Sequence, residues 1–196
     1  MHIFNTASCT LLAIAIALPA MAQDVEPEDM PARLSAERIV KPVAYVETIG
    51  EVEAAALESA SSKYDEFGES VVKTALQYLG ARYRAGMSGP YAFDCSGFTS
   101  FIYGKANVPI LRSSGSQYTQ GKAITRIADL KKGDLVFFGG SGRSKRVGHV
   151  GIVTEVSEDG TNFSFVHASR TGVKISDLNE AYYSRRYIGA RRIVEE

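Results

Sequence analysis

Phe93-Asp94-Cys95-Ser96-Gly97-Phe98-Thr99-Ser100-Phe101-Ile102-Tyr103-Gly104-Lys105 opens with a helix-capping acid and continues as an apolar-rich helix. Asp94 is a good N-cap residue, because its carboxylate can accept from the free backbone N–H groups of a first turn. Cys95 then falls at a loop-to-helix junction. There the positive end of the helix dipole favours a thiolate, which is the reactive form of the thiol. The neighbouring backbone N–H groups are placed to stabilise an oxyanion. Upstream, Val71, Val72, Ala75, Leu76 and Leu79 share one helix face, and Gly80 suits the stop that follows. Residues 81–94 form a loop bearing Gly and Tyr. Downstream, Ser113 to Gln120 reads as a second, polar helix.

The pattern then changes. Asp134–Phe138, Val147–Val156, Asn162–Ala168, Val173–Ser176 and Tyr187–Val194 are short β-rich runs. Turn signals separate them, notably Glu158-Asp159-Gly160-Thr161. Helices first and strands second predict an α+β domain with helices packed on an antiparallel sheet of five to six strands.

A cysteine nucleophile needs a base. His149, in Gly148-His149-Val150-Gly151-Ile152, and His167, in Phe163-Ser164-Phe165-Val166-His167-Ala168-Ser169, both lie on predicted strands. Neighbouring antiparallel strands can set such residues side by side. One imidazole would then pair with the thiol, and the other would orient the first. A lone histidine on a strand is more often a packed core residue, and one Cys with two His also offers zinc three ligands. The spacing does not match the short ligand pairs of structural zinc sites.

The wider chain sets the context. It has 196 residues, 45% apolar and 22% charged, which excludes collagen-like and wholly disordered classes. Two cysteines exclude a disulfide-dense scaffold. No dinucleotide fingerprint, Walker loop or CxxC pair is present. The balance of 22 basic and 22 acidic residues hides a split. Residues 23–69 carry 12 acidic and 4 basic residues, and residues 70–196 carry 10 acidic and 18 basic. An acidic N-terminal segment thus precedes a basic domain. Leu11–Leu18, then Pro19 and Ala20-Met21-Ala22, read as a secretory signal peptide cut after Ala22. The apolar run is too short for a transmembrane helix. Cleavage would remove Cys9 and leave Cys95 as a lone thiol in an exported chain, either reactive or partnered with another chain. The expected divisions are a signal peptide over 1–22, an acidic linker or extension over 23–66 that is partly helical, and a catalytic domain over 67–196.

From Val71 to Ile193 the chain resembles the NlpC-type cell-wall peptidases, a papain-like family. Tyr83 and Gly86 resemble its Tyr-x-x-Gly loop, and Phe93-Asp94-Cys95-Ser96-Gly97-Phe98 its nucleophile core. Leu111-Arg112-Ser113-Ser114 with Gln117 resembles its Leu-Pro-Arg-Ser/Thr…Gln element. Gly133-Asp134-Leu135-Val136-Phe137-Phe138 resembles its Gly-Asp-Leu-Val-Phe-Phe strand, and Gly148–Ile152 and Val166-His167-Ala168 its two histidine strands. The motifs occur in the family's order. There are departures: Ile110 stands where Leu-Pro-Arg would be usual, Arg84-Ala85-Gly86-Met87 replaces a common Gly-Gly pair, and the 139–147 loop is glycine-rich with Arg143, Lys145 and Arg146.

The resemblance implies a papain-like fold and amide hydrolysis through a thioacyl-enzyme, without a cofactor or metal. Cys95 would be the nucleophile, His149 the base and His167 the residue orienting it. Tyr83, Asp94 and Ser96 would contact substrate or oxyanion, with core packing the alternative for Tyr83 and a cap alone for Asp94. The implied substrates are peptidoglycan stem peptides, cut at the D-glutamyl–diaminopimelate bond or at a crosslink. The expected location is the periplasm or cell envelope, or the medium after secretion. No nucleic-acid motif or integral membrane segment is expected in the mature chain, and an inhibitor or regulatory protein is not identifiable. A basic domain would gather on an anionic wall. The acidic segment 23–69 is oppositely charged and is expected to fold back and restrict the cleft. Three other readings compete: a secreted papain-like amidase toxin, a non-catalytic cell-wall binding module, and a zinc hydrolase.

Overall fold

The computed structural model describes residues 43–140 and 146–194, with side chains from residue 52 onward. The expected signal peptide, Cys9, the 23–42 linker, Arg143 and Lys145 lie outside the described residues.

The first element, α1 (Val43–Leu76), is one continuous helix. It runs through Gly50 and across the expected boundary at residue 66. Glycine weakens a helix by about 1 kcal/mol relative to alanine, which tertiary packing readily offsets. Val52 and Leu57 remain exposed, while Tyr64, Val71, Val72 and Ala75 are buried. The helix therefore joins the folded body from Ser61 onward. Lys131 Nζ bonds the Ser61 hydroxyl at 2.8 Å, and Lys132 pairs with Glu69 at 2.5 Å. Of the acidic segment, the stretch from Ser61 to Glu69 is the part these basic residues contact.

Two short parallel strands follow, β1 (Arg82–Tyr83) and β2 (Ala92–Phe93), inside what the sequence reads as a loop. Next come α2 (Cys95–Lys105), with the expected bounds, and α3 (Ser114–Gln117), shorter than expected. The remaining strands are β3 (Lys122–Ile124), β4 (Leu135–Gly139), β5 (Val147–Val156), β6 (Phe163–Ser169), β7 (Gly172–Asp177) and β8 (Tyr187–Arg192). A one-turn helix, α4 (Ala181–Ser184), sits before β8. The six strands form a sheet of order β3-β8-β4-β5-β6-β7, and every pairing is antiparallel.

β4 lies at the centre and is buried throughout. Its alternation divides the core in two. Leu135 and Phe137 join Val150, Ile152, Val166 and the α1 and α2 side chains Val71, Phe98 and Ile102. Val136 and Phe138 join Val153, Phe163, Phe165 and Tyr183. At the head of β4, buried Asp134 accepts from Arg192 Nε at 3.0 Å, Arg192 Nη2 at 2.9 Å, Lys131 N at 2.8 Å and the Tyr64 hydroxyl at 2.6 Å. A buried carboxylate so completely paired is compatible with a dry core, and removing one partner would leave charge uncompensated. The same carboxylate fastens α1 to the sheet. Among the described residues, no helix is long and apolar enough to cross a membrane.

Candidate active site

Cys95 is the first residue of α2, and Asp94 is its N-cap, with extended backbone at φ −90° and ψ 177°. Asp94 Oδ1 accepts from Gly97 N at 2.7 Å, and Oδ2 from Gly86 N at 2.8 Å. Arg112 grips both oxygens, Nη1 to Oδ1 at 2.9 Å and Nη2 to Oδ2 at 2.6 Å. Its Nη1 also reaches the Ser96 hydroxyl at 3.1 Å, which itself donates to Asp94 Oδ1 at 3.4 Å. These donors hold the Asp94 carboxyl below the usual carboxylate range against the opposing pull of burial, which is the largest single influence. Asp94 and Ser96 thus hold the start of α2 in shape, and Arg112 is the residue that ties them together.

Gln117 fixes the other side of this turn. It is fully buried, and its amide donates to Ser96 O, the Ser100 hydroxyl and Leu111 O at 3.1, 3.0 and 2.7 Å. Its carbonyl accepts from the Thr99 hydroxyl at 2.9 Å. Arg112 and Gln117 both appear in the sequence motif, but only the fold shows what each one holds.

The Cys95 thiol is partly buried and is not in a disulfide. Burial pushes it above the ordinary thiol value, and the Asp94 charge adds to this. Backbone N–H groups of Ser96, Val150 and Cys95 itself pull the other way. The helix-terminus effect expected from the sequence is present, but desolvation outweighs it. The Val150 amide places the sulfur against β5, immediately after His149. Tyr83 is paired with Phe93 in the two-stranded β1–β2 unit, packs in the same core as Cys95, and feels the thiolate's charge. Burial comes first among the influences that raise its phenol.

His149 and His167 meet across β5 and β6. His149 Nε2 and His167 Nδ1 are 2.9 Å apart, with the rings nearly perpendicular at 89°. Among the described residues, no group of three or more His, Cys, Asp and Glu side chains is arranged to hold a metal ion. The hydrogen bond between the two rings leaves His149 Nδ1 as the ring nitrogen not engaged by His167. Burial lowers His149 to about 4. Burial first, then the His149 and Lys174 charges, lowers His167 to about 2. Both imidazoles are therefore neutral at pH 7, and burial favours the neutral Cys95 thiol as well.

The sequence-predicted residues Cys95, Tyr83, Asp94 and Ser96 are thus brought together around the start of α2, and the two histidines around the β5–β6 pair, with the Val150 amide joining the two groups. A family model described as the NlpC/P60 family matches residues 80–192. The chain belongs to the NlpC/P60 family. The Escherichia coli (strain K12) protein named murein DD-endopeptidase MepS/murein LD-carboxypeptidase is 37% identical over 152 residues, covering 72% of this chain and 74% of that one. Probable endopeptidase p60 of Listeria welshimeri is 35% identical over 124 residues, covering 63% of this chain. The chain spans only 22% of the length of that p60 relative. An NlpC/P60 family protein from Bacillus cereus aligns with a TM-score of 0.57 at 33% identity, over 64% of this chain and 40% of the other. The NlpC/p60 domain of the peptidoglycan hydrolase SagA aligns with a TM-score of 0.51 at 27% identity, over 64% of this chain and 97% of that one. The α+β, papain-like NlpC/P60 architecture expected from the sequence is the one observed.

Proposed function

We propose that the protein is an exported cysteine peptidase that hydrolyses amide bonds of peptidoglycan stem peptides. The observation that carries this reading is the thiol at the start of α2, held against the strand of His149 by the Val150 amide, with His167 bonded behind His149. His149 Nδ1 takes the thiol proton, and the thiolate attacks the scissile carbonyl. The Cys95 and Ser96 N–H groups, which lie against the sulfur at the helix start, are available to the developing oxyanion. His149 then returns the proton to the leaving amine, and water resolves the thioester. Tyr83 flanks the thiol as a substrate or oxyanion contact. Asp94 and Ser96, already engaged by Arg112, offer the stem peptide a preorganised polar wall.

Two bonds fit the reading, the D-glutamyl–diaminopimelate bond and a crosslink between stems. The E. coli relative carries DD-endopeptidase in its name and aligns over most of its own length, which favours testing the crosslink alongside the stem bond. The substrate lies outside the inner membrane, so the reading requires export to the periplasm or beyond. It needs no cofactor. Mass spectrometry of defined stem peptides and crosslinked dimers tests it. Wild-type protein should release fragments that name the bond, and Cys95→Ala should release none. Tight wall binding by a folded wild-type protein without cleavage would replace this reading with a binding module.

A further inference from the structure

Behind the histidine pair stands a group that the sequence motifs do not include. Tyr183, on α4, is buried, and its hydroxyl lies 3.3 Å from His167 Nε2. Its ring packs edge-on against His167, with centroids 5.4 Å apart, and nearly parallel to His149 at 6.4 Å. Phe138 and Phe165 close the same space at 5.2 and 4.9 Å. Beside the phenol lies the Ser176 hydroxyl on β7, which is buried and within hydrogen-bonding influence of the Tyr183 oxygen.

We propose that Tyr183 is a positioning residue, whose phenol oxygen accepts a hydrogen bond from His167 Nε2–H and so holds the histidine pair in the one tautomer in which His149 can act as a base. The proposal rests on the peptidase reading for its kinetic consequences. The proton positions dictate it. For His149 Nδ1 to receive the thiol proton, its Nε2 must carry the other proton and donate to His167 Nδ1. His167 must then carry its own proton on Nε2, where the hydroxyl of Tyr183 is the hydrogen-bonding neighbour. The phenol proton can turn toward Ser176 Oγ. In the opposite arrangement His167 donates from Nδ1, and His149 presents an N–H to the sulfur and cannot take a proton there. Once the thiolate–imidazolium pair forms, only the first arrangement remains possible. A buried N–H without an acceptor is strongly disfavoured, so the phenol oxygen stabilises the state that the reaction must reach.

The test is Tyr183→Phe, which keeps the ring and removes the oxygen. Histidine nitrogen chemical shifts, read by long-range proton–nitrogen correlation without substrate, report the tautomers directly. The wild type should show His149 and His167 both protonated on Nε2. The variant should shift population toward Nδ1–H on both rings, and kcat should fall about tenfold with KM little changed, the scale expected for one unsatisfied buried group. Unchanged tautomers and unchanged kcat in a folded variant would overturn the proposal. So would a wild-type spectrum with His167 protonated on Nδ1, and that measurement decides the matter even if the variant does not fold. Absence of any cleavage by wild type would instead count against the peptidase reading and leave the tautomer result standing.

Discussion

Two glycines in α2 should respond to the same substitution with opposite signs. Gly104 lies near the end of the helix, and a Cβ there would meet nothing within 4 Å. Gly104→Ala should therefore gain up to about 1 kcal/mol from helix propensity alone. For a domain of this size that is a rise in Tm of roughly 3 °C. Gly97 is in the first turn, two residues after Cys95. A Cβ there would overlap the Met87 carbonyl oxygen and sit 3.0 Å from Asp94 Oδ1. Met87 O is also the acceptor for Asp94 N at 2.9 Å, so the carbonyl cannot retreat freely. The helix start and the 87–94 loop must separate by about 1 Å to restore ordinary contact distances. Overpacking of this kind costs about 1–3 kcal/mol, more than the propensity gain. A displacement of about 1 Å at a reacting group can lower the rate about a hundredfold. Gly97→Ala should thus lower Tm and depress kcat, whereas Gly104→Ala should raise Tm and leave kcat alone. Thermal unfolding and stem-peptide turnover of the two variants read both effects. A Gly97→Ala protein as stable and as active as Gly104→Ala would refute the close-approach reasoning.

Other consequences are open to the same kind of measurement. Tyr64→Phe removes one donor from the buried Asp134 carboxylate and should cost about 1–2 kcal/mol in urea unfolding; no loss would mean that α1 is not fastened there. An unfolded histidine takes its proton near 6.5, whereas His149 takes it only near 4 and His167 only near 2. The unfolded chain therefore binds more protons below pH 6.5, and stability must fall as pH drops from 6.5 through 4, by on the order of 3 kcal/mol for His149. A His149→Gln protein should show a shallower decline, and an unchanged slope would contradict the lowered His149 proton affinity. Because burial raises the Cys95 thiol, alkylation by iodoacetamide should accelerate steadily with pH through the neutral range. A flat rate between pH 5 and 8 would instead indicate a preformed thiolate–imidazolium pair.

Much of the fold was legible because local signals and tertiary demands agree. Residues 95–105 have a capping acid at the start and an apolar face throughout, and the helix has those bounds. β5 also spans the range expected from its pattern. The turn after it was marked by Asp159 and Gly160. Asp159 accepts from Thr161 N and the Ser157 hydroxyl, and Gly160 takes φ +65°. Elements that depend on distant partners were not legible. β3 has three residues and exists because Lys122, Ala123 and Ile124 pair with Arg192, Arg191 and Ala190. β1 and β2 are two residues each and hold one another. The long α1 helix passes Gly50, a residue that weakens it locally, and its junction with the domain depends on Tyr64 meeting Asp134, 70 positions away.

The site divides the same way. The sequence placed Cys95 after a cap and His149 and His167 on strands, as the structure has them, whereas the roles expected of them came from the family resemblance. Their pairing followed from strand adjacency, although the register on either side is interrupted by irregularities at Phe138/Gly139 and Val153/Glu155. The direction of the thiol's shift was not legible, since burial is a property of the packed site and not of the helix start. Tyr183 carried no signal of its own. It reaches His167 because a four-residue helix between β7 and β8 turns it back onto the sheet.

The most direct test of the central claim is to trap the acyl-enzyme. Wild-type protein mixed with a stem peptide or crosslinked dimer, quenched in acid within the turnover time, should gain the mass of the acyl fragment. Peptide mapping should place that mass on Cys95. Slow steps after acylation make such adducts accumulate, and His149→Ala should form none. Turnover that continues in Cys95→Ala, or a covalent fragment on any other residue, would contradict the account.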